Sequence, residues 1–236
     1  MTRRAAWWRC WLLLLLPPIL LVLVTTVFIV YGVWQAQGDR PVINEVVAEN
    51  TILILILNHS LLAFLLWWFM RLDGLRFNDI GWALPRPAIR SLIREIGIGG
   101  GAGVLIYLFH HYAMTPGVGL LLRETGIPTL RAAPAAAPLG SDLVMAVGIA
   151  VFFGGLVEEH LYRGYILTRL LERLSVVGAL VPLTLGFALL HFGLGLSGMI
   201  VAGTTGLLLS LLFIWRRMLP AAIVAHAMVN VLVLSL

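Results

Sequence analysis

Long apolar runs recur along the whole sequence, and they limit what the chain can fold into. A helix crosses a hydrocarbon layer of about 30 Å with about 20 apolar residues. Hydrophobic residues make up 61% of the 236 residues and charged residues only 11%, which is more apolar surface than a soluble domain of this length buries. Runs that fit a membrane span cover residues 7–35, 51–70, 96–114, 142–172, 176–193, 196–214 and 219–236. The sequence therefore predicts an all-α, polytopic transmembrane helical bundle of about seven spans.

The domain organisation follows from the segments between these runs. The first run resembles a signal peptide, but it continues to about Trp34 and is too long for the apolar core of such a peptide, so we expect a retained first span. The polar segments 36–50, 71–95 and 115–141 do not resemble soluble domains. We expect a single integral membrane domain over 1–236, with N-terminal spans and loops in 1–141.

The charge distribution predicts how the chain is oriented. All 16 basic residues are arginines, and the isoelectric point is about 10.1. With alternate crossing, one side of the membrane holds Arg3, Arg4, Arg9, Arg71, Arg76, Arg86, Arg90, Arg94, Arg163, Arg169, Arg173, Arg216 and Arg217. The other side holds only Arg40, Arg123 and Arg131. The asymmetry predicts a cytoplasmic N-terminus, and we expect the membrane to be a bacterial plasma membrane. Contact with the lipid bilayer, rather than with nucleic acid, explains the excess of positive charge.

Ionisable residues inside the spans are the main functional suspects, because each costs about 2.5–3.5 kcal/mol at the middle of a helix. The densest group is Glu158, Glu159 and Arg163. Residues four apart share a helix face, so Glu159 can pair with Arg163 while Glu158 points to another partner. We therefore expect Glu159 to be structural and Glu158 to act as a general base.

Three further polar residues lie in the last spans. His226 and Asn230 are four residues apart and share one face of the final helix, and His191 lies at a similar depth in the fifth span. We expect these side chains to meet Glu158 in one layer. The remaining histidines show no such partner pattern, and we interpret them as structural or interfacial: His59, His110, His111 and His160.

The three groups together resemble the motifs of a known family, the CPBP or Abi proteins. These are membrane-embedded CAAX proteases and bacteriocin-processing enzymes, related to the type II CAAX prenyl endopeptidases. Their Glu-Glu-x-x-x-Arg, Phe-x-x-x-His and His-x-x-x-Asn motifs appear here in order, each on its own predicted span. The matching positions are Glu158, Glu159 and Arg163, then Phe187 and His191, and last His226 and Asn230.

The resemblance covers about 142–236 and implies a catalytic core there, built around four helices. It implies an intramembrane endopeptidase that cleaves a peptide or protein substrate at the membrane. Glu158 and His191 would activate water, and His226 and Asn230 would stabilise the oxyanion. Glu159, Arg163 and Phe187 would support them.

Some alternatives stay open from the sequence. Such proteins are commonly labelled metalloproteases, and Glu158, His191 and His226 could hold zinc with an open position for water. The His-Glu-x-x-His helix motif is absent, so we favour chemistry without a cofactor and keep zinc as the alternative. A proton-coupled transporter and a non-catalytic bacteriocin-immunity or scaffold protein are the competing functions.

Overall fold

The fold is known from a computed structural model that describes residues 7–36, 43–125, 148 and 150–235. Within these ranges the chain forms helices and turns and no β-strand. The described residues form seven main helices: α1 (Trp7–Gln35), α2 (Ile43–Asp73), α3 (Ala88–Glu124), α4 (Ala150–Glu158, His160–Leu167 and Thr168–Leu171), α5 (Val176–Leu190), α6 (Gly195–Arg216) and α7 (Leu219–Ser235). The predicted all-α helical bundle is confirmed.

Several of these helices suit a membrane. In the part of the chain that the structure describes, four helices have the length and hydropathy of a span: Trp7–Gln35, Glu45–Asp73, Ala88–Glu124 and Phe192–Arg216. Val176–Leu190 and Leu219–Leu234 are shorter but apolar throughout. The chain is therefore an integral membrane protein, and helices such as α2 and α3 extend well beyond the apolar runs that predicted them.

Helix α4 is the centre of the bundle. It contacts α1, α2, α5, α6 and α7, and Leu161, Tyr162 and Tyr165 on it are fully buried. Two of its three segments, Ala150–Glu158 and His160–Leu167, are π-helical. π-Helical turns widen a helix and are frequent at functional sites. Glu158 ends the first of these segments, and Glu159 lies between the two.

Close contact between α3 and α7 fixes the position of the last helix. Small residues let membrane helices approach each other. A Cβ atom on Gly103 would lie 2.6 Å from the carbonyl oxygen of Ala225, and Gly99 faces Ala221 in the same way. Packing at Gly99 and Gly103 therefore holds α7 with its histidine directed toward α4.

Candidate active site

A buried ion pair lies within α4, and its arginine also binds α6. Arg163 donates from Nη1 to Glu159 Oε1 at 2.7 Å, from Nη2 to the carbonyl oxygen of Gly206 at 2.7 Å, and from Nε to Ser210 Oγ at 3.2 Å. Its guanidinium also lies over the Phe187 ring, 4.7 Å from the centroid. The expected pairing of Glu159 with Arg163 is confirmed, and each nitrogen of the buried guanidinium has an acceptor.

The same glutamate holds the histidine of α7. His226 Nδ1 lies 2.8 Å from Glu159 Oε1. A carboxylate accepts, so Nδ1 carries the proton and donates it. The ring is thereby oriented with its other nitrogen, Nε2, directed away from Glu159.

Gly154 of α4 marks the point where the two polar residues of α7 meet the site. A Cβ atom on Gly154 would lie 3.7 Å from His226 Nε2 and 2.6 Å from Asn230 Nδ2. Both side chains therefore reach the same spot on α4, one helical turn before Glu158. The predicted shared face of His226 and Asn230 is present.

His191 closes the C-terminal end of α5. Its Nδ1 lies 2.9 Å from the carbonyl oxygen of Phe187, and because a carbonyl can only accept, Nδ1 carries the proton in the neutral ring. The Phe187 ring packs 4.9 Å from the His191 ring and 6.0 Å from the His226 ring. Phe187 thus lies between the two imidazoles and sets their spacing.

Glu158 is the carboxylate around which these groups gather. It is 5% exposed, and it interacts electrostatically with His59, His191 and His226. Oxygen Oε1 lies 3.0 Å from His59 Nε2. Oxygen Oε2 is buried and has no hydrogen-bond partner in the described part of the chain.

The contact with His59 corrects one sequence interpretation. The sequence showed no partner for His59 and we interpreted it as structural or interfacial, but the structure gives it one, because its imidazole contacts the central carboxylate from α2. The two residues are 99 positions apart, so no local spacing links them. The available signal was the cost of an ionisable side chain within an apolar run, which requires a polar partner from another helix.

The other histidines have partners away from Glu158. His160 Nδ1 donates to the carbonyl oxygen of Leu156 at 2.7 Å, and its Nε2 accepts from Trp82 Nε1 at 2.7 Å. His110 lies 3.4 Å from Thr205 Oγ1. The His111 ring stacks on Tyr107 at 5.7 Å.

The donor set does not fit a metal ion. Among the residues that the structure describes, no group of three His, Cys, Asp or Glu side chains is arranged to hold one. This includes Glu158, His191 and His226, the three ligands of the zinc alternative.

A cavity of about 450 Å³ opens beside this cluster, between α2 and α4. Its walls are mainly apolar, with Arg71, Arg76 and His160 as charged or polar members. Phe153 lines the cavity and also packs against the His59 ring, with 5.3 Å between centroids. Phe153 thus contacts both the cavity and the imidazole that binds Glu158.

Comparison with known proteins shows a family likeness over the C-terminal part of the chain. Residues 140–232 match the family model of the type II CAAX prenyl endopeptidases described as Rce1-like. This region of the chain is Rce1-like. The match confirms the resemblance that the three motifs predicted, and it supports a membrane protease. No curated protein and no solved structure matches the chain.

The Rce1-like region contains most of the cluster but not all of it. Glu158, His191, His226 and Asn230 lie inside the matched residues, whereas His59 lies outside them on α2. The contact that completes the surroundings of Glu158 therefore comes from a part of the chain that the family model does not cover.

Proposed function

We propose that the chain is an intramembrane endopeptidase in which Glu158 and His191 activate a water molecule and His226 and Asn230 stabilise the oxyanion. The catalytic core is 142–236. The observation that carries the proposal is the buried Glu158 carboxylate, half of which is free of donors in the described part of the chain, inside an Rce1-like region.

The arrangement of Glu158 suits a general base. Its Oε1 is held by His59, so Oε2 is the oxygen that can accept a proton from water. His191 uses Nδ1 for the Phe187 carbonyl, so Nε2 is the nitrogen of the neutral ring that can accept a second hydrogen bond from the same water. A water held between two acceptors is oriented and more nucleophilic.

The bond changes balance with these groups alone. The water oxygen adds to the peptide carbonyl carbon while its proton passes to the Glu158 carboxylate. The negative charge that forms on the carbonyl oxygen is stabilised by Asn230 Nδ2 and by His226, which takes part with a proton on both ring nitrogens: Nδ1 donates to Glu159, and Nε2, near Gly154, donates to the oxyanion. The protonated Glu158 then gives its proton to the amide nitrogen as the C–N bond breaks. The products are a carboxylic acid and an amine, and transfer of the acid proton to the amine gives a carboxylate and an ammonium group.

The setting of the reaction is the lipid bilayer, with a peptide or protein as substrate. The arginine asymmetry supports a cytoplasmic N-terminus, and a bacterial plasma membrane is the membrane we propose.

A comparison of membrane proteomes tests the proposal. Cells that produce the native chain are compared with cells that produce Glu158→Ala or His191→Ala at equal membrane abundance, and new peptide termini are counted. We expect cleavage products that disappear in both variants and persist in Glu172→Ala, a control whose side chain is 49% exposed in a surface pair with Arg169. Products that persist in all variants would overturn the proposal and leave the scaffold or transporter alternatives.

A further inference from the structure

His59 is held on two sides before it reaches Glu158. Its Nδ1 donates to the carbonyl oxygen of Leu55, one turn earlier in α2, at 2.9 Å. The Phe153 ring of α4 packs against the imidazole at 5.3 Å between centroids. The residue is 5% exposed, so the ring has one orientation and directs Nε2 at α4.

The contact with Glu158 needs a shared proton. Because Nδ1 already donates to a carbonyl, the 3.0 Å distance between His59 Nε2 and Glu158 Oε1 is a hydrogen bond only with one further proton between the two atoms. That proton has to belong to Nε2, because Glu158 can act as a general base only as a carboxylate. The side chains of both residues are 7% exposed, so no solvent competes for that proton. The bond fixes Oε1 and, since the carboxyl group is planar, also fixes where Oε2 points.

We infer that His59 is a positioning residue for Glu158, and that the active site extends to α2, beyond the Rce1-like region. The inference rests on the proposed function. A terminal carboxyl torsion has a broad, nearly two-fold energy profile, so Glu158 needs an external contact to keep one oxygen toward the water. His59 supplies that contact without touching the reacting atoms.

Other buried histidines provide the contrast. His110 is also 5% exposed, but it lies against the Thr205 hydroxyl and contacts no carboxylate among the described residues. His160 donates to a carbonyl four residues earlier, as His59 does, yet its Nε2 accepts from Trp82. Neither burial nor a bond to a carbonyl four residues earlier distinguishes His59 from these histidines. Its contact with the Glu158 carboxylate does.

Two amide variants separate positioning from packing. The amide nitrogen of His59→Gln reaches about as far as Nε2 and can donate to Glu158 Oε1. The amide nitrogen of His59→Asn reaches only about as far as Nδ1, so it can keep the Leu55 bond and loses Glu158. Both variants bury a neutral amide at the same position, so their demands on folding are similar.

The experiment measures kcat and KM of the full-length protein in liposomes, with the substrate found in the proteome comparison. For His59→Asn we expect kcat to fall about 100-fold, the scale of a misplaced catalytic group, with KM within about twofold because His59 does not touch substrate. For His59→Gln we expect most of kcat to return. His110→Asn, the matched control, keeps native kcat.

Three results would overturn the inference: native kcat in His59→Asn, equal loss of kcat in His59→Gln and His59→Asn, or equal loss in His110→Asn. Glu158→Gln is measured in parallel. An inactive Glu158→Gln beside a fully active His59→Asn rejects only the role of His59, whereas an active Glu158→Gln rejects the proposed function itself. Gel filtration identifies a variant that does not fold. The kcat of the remaining amide variant is then compared with that of the native protein.

Discussion

Buried carboxylates occur in two regions of the molecule, and the two regions satisfy them differently. Toward the helix ends, Asp73 accepts from Arg9 on one oxygen and from the Tyr165 hydroxyl on the other, at 2.5 Å for the latter. Glu95 accepts from Arg216 Nη2 at 2.6 Å and from Arg216 Nε at 3.0 Å. Both oxygens of each carboxylate have a donor, as structural ion pairs require.

The two carboxylates at the centre of the bundle, among the described residues, do not have a donor on both oxygens. Glu158 and Glu159 each have partners on Oε1, while Oε2 of each is buried without a donor in the described part of the chain. A buried polar atom without a partner costs about 1–3 kcal/mol. Asp73 and Glu95 therefore link helices through both oxygens, whereas Glu158 keeps the donor-free oxygen that the proposed function requires.

The largest expected effect tests this contrast directly. Glu158→Gln removes the proton acceptor and should lower kcat by about 10²–10⁴-fold, the usual contribution of a general base, with little change in melting temperature. Asp73→Asn should show the reverse: about 2 kcal/mol lower stability through a weakened bond to Arg9, with kcat nearly native. Turnover and thermal unfolding in detergent are measured on both. A comparable loss of kcat in folded Asp73→Asn would break the comparison.

Breaking the buried ion pairs should give the next largest effect. Arg163→Met leaves Glu159 buried with only His226 as a partner, and we expect a loss of about 3–5 kcal/mol in the free energy of unfolding. Arg216→Met should cost less, about 1 kcal/mol, because the Arg216 side chain is 18% exposed and Arg94 lies 3.4 Å from the same carboxylate. Denaturant unfolding in detergent measures both, and an equal or larger loss in Arg216→Met would contradict this ranking.

The sequence was sufficient for the helices and for the Glu159–Arg163 pair, and insufficient for two features of the site. Apolar runs and four-residue spacings are local, and each maps onto one helix. The π-helical form of Ala150–Glu158 is a shift of backbone hydrogen bonds that composition does not encode. The contact of His59 with Glu158 depends on how α2 is rotated against α4, and a helix that is apolar on nearly all sides carries no periodicity to set that rotation. The functional roles of Glu158, His191, His226 and Asn230 stay predictions.

The smallest expected effect on kcat comes from filling the space that α4 leaves for the proposed oxyanion donors. Two neighbouring glycines, Gly154 and Gly155, test it. In Gly154→Ala the new Cβ would lie 2.6 Å from Asn230 Nδ2, at the far end of a flexible side chain that can swing away. We expect the melting temperature to change little and kcat to fall by up to about 10²-fold, the lower end of the range for losing one oxyanion donor. Gly155→Ala meets Ala227 Cβ and the Ile223 carbonyl oxygen at 3.3 Å, so its effect should appear in stability and leave kcat near native. The pair is compared by turnover and thermal unfolding. An equal loss of kcat in Gly154→Ala and Gly155→Ala would contradict this prediction. It would show that α4 needs small residues at both positions for ordinary helix packing against α7.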